Sequence, residues 1–132
     1  MFLPYQPREI FPEMLAAADV GLVTLNCSSA SSSLPSKTFN VMASARPILA
    51  VAPSDSELAH LVEDAHCGIV IPPEHPACLA EVLLGLRGQA ALLAEMGRNG
   101  RSQLENRFSR GCCVDAFENM LLEVCRGGAR TP

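Results

Sequence analysis

SSLPSKTFNVMASARPILAV, Ser32 to Val51, is the stretch whose reading decides the fold. It carries Pro35-Ser36-Lys37, then a helix-sized run, then Pro47 leading directly into the apolar Ile48-Leu49-Ala50-Val51-Ala52. Upstream, Val20-Gly21-Leu22-Val23-Thr24-Leu25 is another nearly continuous apolar run, and downstream Gly68-Ile69-Val70-Ile71 is a third. Short runs of this kind are the pattern of strands covered on both faces. Helical patterns separate them: Pro7 to Ala18, Ser36 to Ser44, and Ser56 to Ala65, where Leu58, Leu61, Val62 and Ala65 recur at helical spacing. Ser54 and Glu57 have the spacing of a capping box at the start of the last of these. Strands and helices alternating through short connections predict parallel strands joined by right-handed crossovers, with helices on both faces. The fold class is α/β. Met1-Phe2-Leu3 reads as the end of one further strand.

After Pro72-Pro73 the strand signals stop and the chain becomes helical. Leu79, Val82, Leu83 and Leu86 form one apolar stripe, Leu93, Met96, Gly100 and Leu104 a looser one, and Val114, Phe117, Leu121 and Val124 a third. A chain of 132 residues, 48% hydrophobic and 18% charged, suits one globular domain, taken as residues 1–126 with a frayed tail at 127–132. The net charge of −4 excludes a general nucleic-acid surface, which needs clustered Lys and Arg. No apolar run approaches the ~20 residues of a membrane helix, and the expected location is cytoplasmic. Six cysteines occur without a CxxC pair and mostly in apolar surroundings, so they are expected as reduced core thiols. His60, His66 and His75 lack metal-ligand partners at suitable spacing, and Met14, Met42, Met96 and Met120 suit core filling.

In an open parallel sheet, ligands bind beyond the carboxyl ends of the strands, where loops turn into helices. The loop from Asn26 to Pro35 leaves such an end and reaches a helix start at Ser36. A helix N-terminus offers unpaired N–H donors and partial positive charge, the basis of an anion site. Lys37 in the first turn opposes the helix dipole at about 0.3–1 kcal/mol, a penalty that a bound diphosphate would reverse. The bland alternative, Ser36 as N-cap and Lys37 as a solvated side chain, stands beside this reading. Asn40, one turn beyond Ser36, could hydrogen-bond ribose hydroxyls or be merely exposed.

The stretch from Pro35 to Ala50 resembles the nucleotide-sugar-binding motif of retaining glycosyltransferases of family 4, which have the two-lobed GT-B fold. Ala18-Asp19-Val20, Ser56-Glu57-Leu58, Cys67-Gly68 through Pro72-Pro73, Met96-Gly97-Arg98-Asn99-Gly100-Arg101 and Arg107-Phe108-Ser109 follow the same family order. The resemblance implies a partial Rossmann-like parallel sheet with flanking helices and a helical C-terminal segment, the incomplete C-terminal lobe of that fold. It implies a UDP-sugar or GDP-sugar donor, no cofactor and no metal. Ser36 and Lys37 would hold the diphosphate, Asn40 the ribose, and Tyr5 and Gln6 the nucleobase. No catalytic residue is carried over.

The sequence departs from the family in three places. Asn40 stands where the family has a ribose-binding Glu, Ser32 where it has a second Glu near the donor sugar, and Ala45 where it has the Gly before Arg46-Pro47. The resemblance also implies strand–helix units and an acceptor lobe preceding Met1. Half a cleft orients substrates poorly, so the isolated chain is expected to turn over slowly. Its partners would be the nucleotide-sugar donor and either the missing N-terminal lobe or a second copy through the exposed sheet edge. In a full enzyme it would lie peripherally at the inner face of the membrane. The alternative is a non-catalytic, truncated module that binds nucleotide or another protein.

Overall fold

The computed structural model describes residues 4–25 and 34–127. Met1-Phe2-Leu3, the loop over 26–33 with Ser32 and Cys27, and residues 128–132 fall outside the described residues. A 3-10 turn at Arg8–Ile10 leads into α1 (Phe11–Ala17), then β1 (Gly21–Thr24), α2 (Lys37–Ala43), β2 (Ile48–Val51), α3 (Glu57–Asp64) and β3 (Gly68–Ile71). Three helices follow: α4 (Pro76–Leu86), α5 (Ala90–Arg107) and α6 (Arg110–Gly127). The three strands expected between Val20 and Ile71 form, and the expected first helix starts later because Pro7 and the 3-10 turn occupy its first residues.

The strands make a parallel sheet in the order β1-β2-β3, with Gly21 beside Ile48 and Ile48 beside Gly68. On one face Val23, Ile48 and Ala50 pack with Val41 and Met42 of α2, Leu58, Leu61 and Val62 of α3, and Leu104 of α5. On the other face Leu49 and Ile71 pack with Leu79, Val82 and Leu86 of α4 and Leu93 of α5. The second layer stops short of β1. Leu22 is 50% exposed and Thr24 is exposed, so β1 is covered on one face, not both. Gly21 N–H donates to Pro47 O and Leu25 N–H to Val51 O, directing those groups at β2. By the alternation of a parallel ladder, the backbone groups of Leu22 and Thr24 face the other edge. No strand lies on that edge among the described residues.

The two crossover helices end alike. After α2, Ala45 N–H donates to Met42 O (3.0 Å) and Arg46 N–H to Val41 O (3.2 Å); after α3, His66 N–H donates to Glu63 O (3.0 Å) and Cys67 N–H to Val62 O (3.1 Å). Both are Schellman motifs, which need a left-handed residue. Ala45 (φ 51°) and His66 (φ 48°) supply it without glycine's freedom. The helix α5 then locks both ends. Asn99 donates to His66 O (3.1 Å), and Arg101 donates to Ala43 O. A Cβ on Gly97 would lie 2.0 Å from Ala45 O, so α5 approaches that turn at a distance only glycine permits. The Gly97-Arg98-Asn99-Gly100-Arg101 motif thus has a structural role at the amino-terminal end of the sheet.

Other expectations need correction. The cap of α3 is Ser56, whose Oγ accepts from Ala59 N–H (3.2 Å), not Ser54; Ser56 has the extended backbone a cap requires. Among the described cysteines Cys67 is buried, Cys78 and Cys112 are half-buried, and Cys113 and Cys125 are exposed, because α6 has no layer above it. Met42 fills the core as expected, whereas Met14 and Met120 are 38% and 48% exposed.

Candidate functional site

The helix α2 runs opposite to the strands. Its Val41 meets Gly21 at the start of β1, and its end leads through Pro47 into the start of β2, so its first residues lie toward the other end of the strands. The start of α2 therefore sits at the carboxyl edge of the sheet, where ligands of parallel α/β folds bind.

Ser36 has helical dihedrals (φ −59°, ψ −27°) and makes no side-chain cap. An N-cap normally takes an extended conformation, so the bland reading of Ser36 as a cap does not describe it. Lys37 is the first helical residue, exposed, with no acidic residue in the first turn. Two of the first amides are already used: Thr38 N–H donates to Pro35 O (3.0 Å) and Phe39 N–H to Ser36 O (3.2 Å). Those of Ser36 and Lys37 have no acceptor among the described residues. The donor set is narrower than a generic helix start suggests: two N–H groups, one hydroxyl and one ammonium. Asn40 lies exposed one turn on, its carbonyl accepting from Ser44 N–H (3.1 Å) and Ser44 Oγ (3.0 Å). Beneath them Thr38 is fully buried, and its Oγ1 has no partner among the described residues.

Tyr5 and Gln6 form a second group. Tyr5 is 97% exposed, and Gln6 Nε2 donates to Pro4 O (2.9 Å). With Pro4, Arg8, Phe11 and Met14 they line an open depression of about 670 Å³. Arg8, which the sequence reading did not single out, lines the same depression. It opens the 3-10 turn three residues after Tyr5, a proximity in sequence that was its available signal. The structure brings Ser36, Lys37 and Asn40 together, and Tyr5, Gln6 and Arg8 together. No hydrogen bond joins the two groups among the described residues. The carboxyl terminus of α1 is held by Arg46, which donates to Ala16 O.

No group of His, Cys, Asp and Glu among the described residues could hold a metal ion. Burial pushes the Cys67 thiol from 9.0 up to about 11, partly offset by a backbone hydrogen bond, which makes it an inert core group. No single described helix is long and apolar enough to cross a membrane.

Fold and site together define a parallel α/β unit whose carboxyl edge presents a cationic, uncapped helix start. No protein-family model matches the chain, and no solved structure matches it. Among curated proteins it is similar to the "Probable glycosyltransferase WbjE" of Pseudomonas aeruginosa, with 32% identity over 103 residues, which is 78% of this chain. The chain spans 25% of that relative's length.

Proposed function

We propose that this chain is the donor-binding part of a glycosyltransferase, taking a nucleoside-diphosphate sugar as ligand. The observation that carries the reading is the similarity to a protein named a glycosyltransferase over 103 residues. The open start of α2 supports it. The Lys37 ammonium, the Ser36 hydroxyl and the amides of Ser36 and Lys37 would hold the diphosphate of a UDP-sugar or GDP-sugar. Negative charge grows on that diphosphate as the bond to the sugar breaks, and fixed donors aimed at it stabilise the transition state more than the ground state. The Asn40 amide would engage ribose hydroxyls, and Tyr5 and Gln6, with Arg8 beside them, the nucleobase. Transfer proceeds with retention in this reading, as in GT-B family 4, and needs no metal or cofactor. The acceptor belongs to the N-terminal lobe, and the outer edge of β1 to further strands of the longer protein.

Titration calorimetry of the chain with UDP, GDP and their sugars tests this. Binding of one nucleotide series, weakened about tenfold or more by Lys37→Ala and untouched by the distant Glu81→Ala, is the expected result. Absence of binding, or binding indifferent to Lys37→Ala, contradicts the reading.

A further inference from the structure

The helix α5 lies along α2 in the opposite direction and touches it from end to start. Gly97 sits against Ala45 O, Arg101 donates to Ala43 O, and a Cβ on Gly100 would meet Met42 Cγ at 3.6 Å. About two turns further along, the Phe108 ring meets Phe39 in the first turn of α2, with 5.1 Å between ring centroids and 54° between the ring planes. Aromatic pairs favour tilted or offset contacts at about 4.5–7 Å, so this is an attractive one. Both rings are half-buried and pack against the core cluster that holds Val41 and Met42. The chain that presents Phe108 is itself fixed. Phe108 N–H donates to Leu104 O (2.9 Å), and the Arg107 guanidinium lies over its ring at 5.6 Å. Just beyond, Cys112 N–H donates to Ser109 Oγ (3.4 Å) and Cys112 Sγ to Asn106 O (3.3 Å), which closes the turn from α5 into α6.

We propose that Phe108 is a positioning residue of the donor site: through Phe39 it sets the bearing of the first turn of α2, and with it the Ser36, Lys37 and Asn40 side chains. The inference rests on the reading of those three residues as the diphosphate and ribose contacts. Phe39 stands between Lys37 and Asn40 in sequence but is half-buried, whereas Ser36, Lys37 and Asn40 are exposed. The core side of the turn thus carries the ring, and the open side carries the polar groups. A helix start is ordinarily fixed by a side-chain cap; α3 has one in Ser56, and α2 has none. Thr38 is buried beneath the turn, yet its Oγ1 makes no hydrogen bond among the described residues, so it anchors by packing alone. The end of α2 is held by its Schellman motif and by Arg101, which leaves its start as the freer end. There the ring pair takes the part that a cap plays in α3. Loss of the pair lowers the population of the binding-competent turn, and apparent affinity falls by the same factor, about two- to tenfold for an aromatic pair.

The test is titration calorimetry of the 132-residue chain with pyrophosphate, UDP and GDP, well below its unfolding midpoint, beside five variants. Phe108→Leu and Phe39→Leu should each weaken binding about three- to tenfold. The double variant should lose no more than the weaker single one, because all three lack the same contact. Phe108→Tyr keeps the ring and should hold affinity within about twofold of wild type. Val62→Ala removes core packing next to Cys67, at the opposite end of the sheet, and should lower the unfolding midpoint without changing affinity. Wild-type affinity in Phe108→Leu and Phe39→Leu, or an equal loss in Val62→Ala, overturns the proposal and leaves the donor reading standing. A wild-type chain that binds none of the three probes refutes the donor reading and the proposal with it.

Discussion

The crossovers β1-α2-β2 and β2-α3-β3 are built to one plan and differ at one end. Both helices finish in a Schellman motif with a non-glycine residue in the left-handed position, and both are locked there by polar side chains of α5. Their beginnings are opposite. The start of α3 is satisfied from within: Ser56 caps Ala59 N–H, and Glu57 places a negative charge where the dipole favours one. The start of α2 has no side-chain cap, no acid, a lysine at its first position and a serine that does not cap. A helix built only for stability resembles α3. The departures in α2 cost stability locally, a cost that the proposed diphosphate would offset.

The largest expected effect tests what the two crossovers share. Gly97→Ala drives a Cβ to 2.0 Å from the Ala45 carbonyl and should cost more than about 3 kcal/mol in urea denaturation, or prevent folding. The next probes the difference. Ser56→Ala should destabilise by about 1 kcal/mol, whereas Ser36→Ala should change stability by less than about 0.5 kcal/mol and weaken nucleotide binding. Equal losses at the two serines would erase the contrast. Ala45→Gly relieves the left-handed strain at the end of α2 and should raise stability by about 1 kcal/mol, read as a higher denaturation midpoint. Smallest is Lys37→Glu. It should stabilise the unliganded chain by about 0.5 kcal/mol, because it corrects the sign at the helix start, while abolishing nucleotide binding. Gain in one assay and loss in the other would mark Lys37 as kept for a ligand.

The sheet was legible because strand formation here follows local runs of apolar residues. Val23, Ile48 and Ile71 are buried where the pattern places them. The sequence could not show how far a covering layer extends. Leu22 has the composition of a buried strand residue and is half exposed, since α4 reaches β2 and β3 without reaching β1. The stripe of Val114, Phe117, Leu121 and Val124 was readable as well, and it is exposed among the described residues. At the site, the residue types Ser36, Lys37 and Asn40 were legible. The sharing of first-turn amides was not, because the 3-10 bonds of Thr38 and Phe39 depend on how the chain enters α2 through Pro35. The capping box failed for a related reason: Ser54 and Ser56 are both competent by type, and backbone dihedrals choose between them.

Amide chemical shifts recorded while pyrophosphate, UDP or GDP is added bear most directly on the contrast between the two helix starts. Saturable shifts at Ser36, Lys37 and Asn40, with Ser56 and Glu57 unmoved, are the predicted outcome. Equal response at both starts, or none at Lys37, would contradict the account.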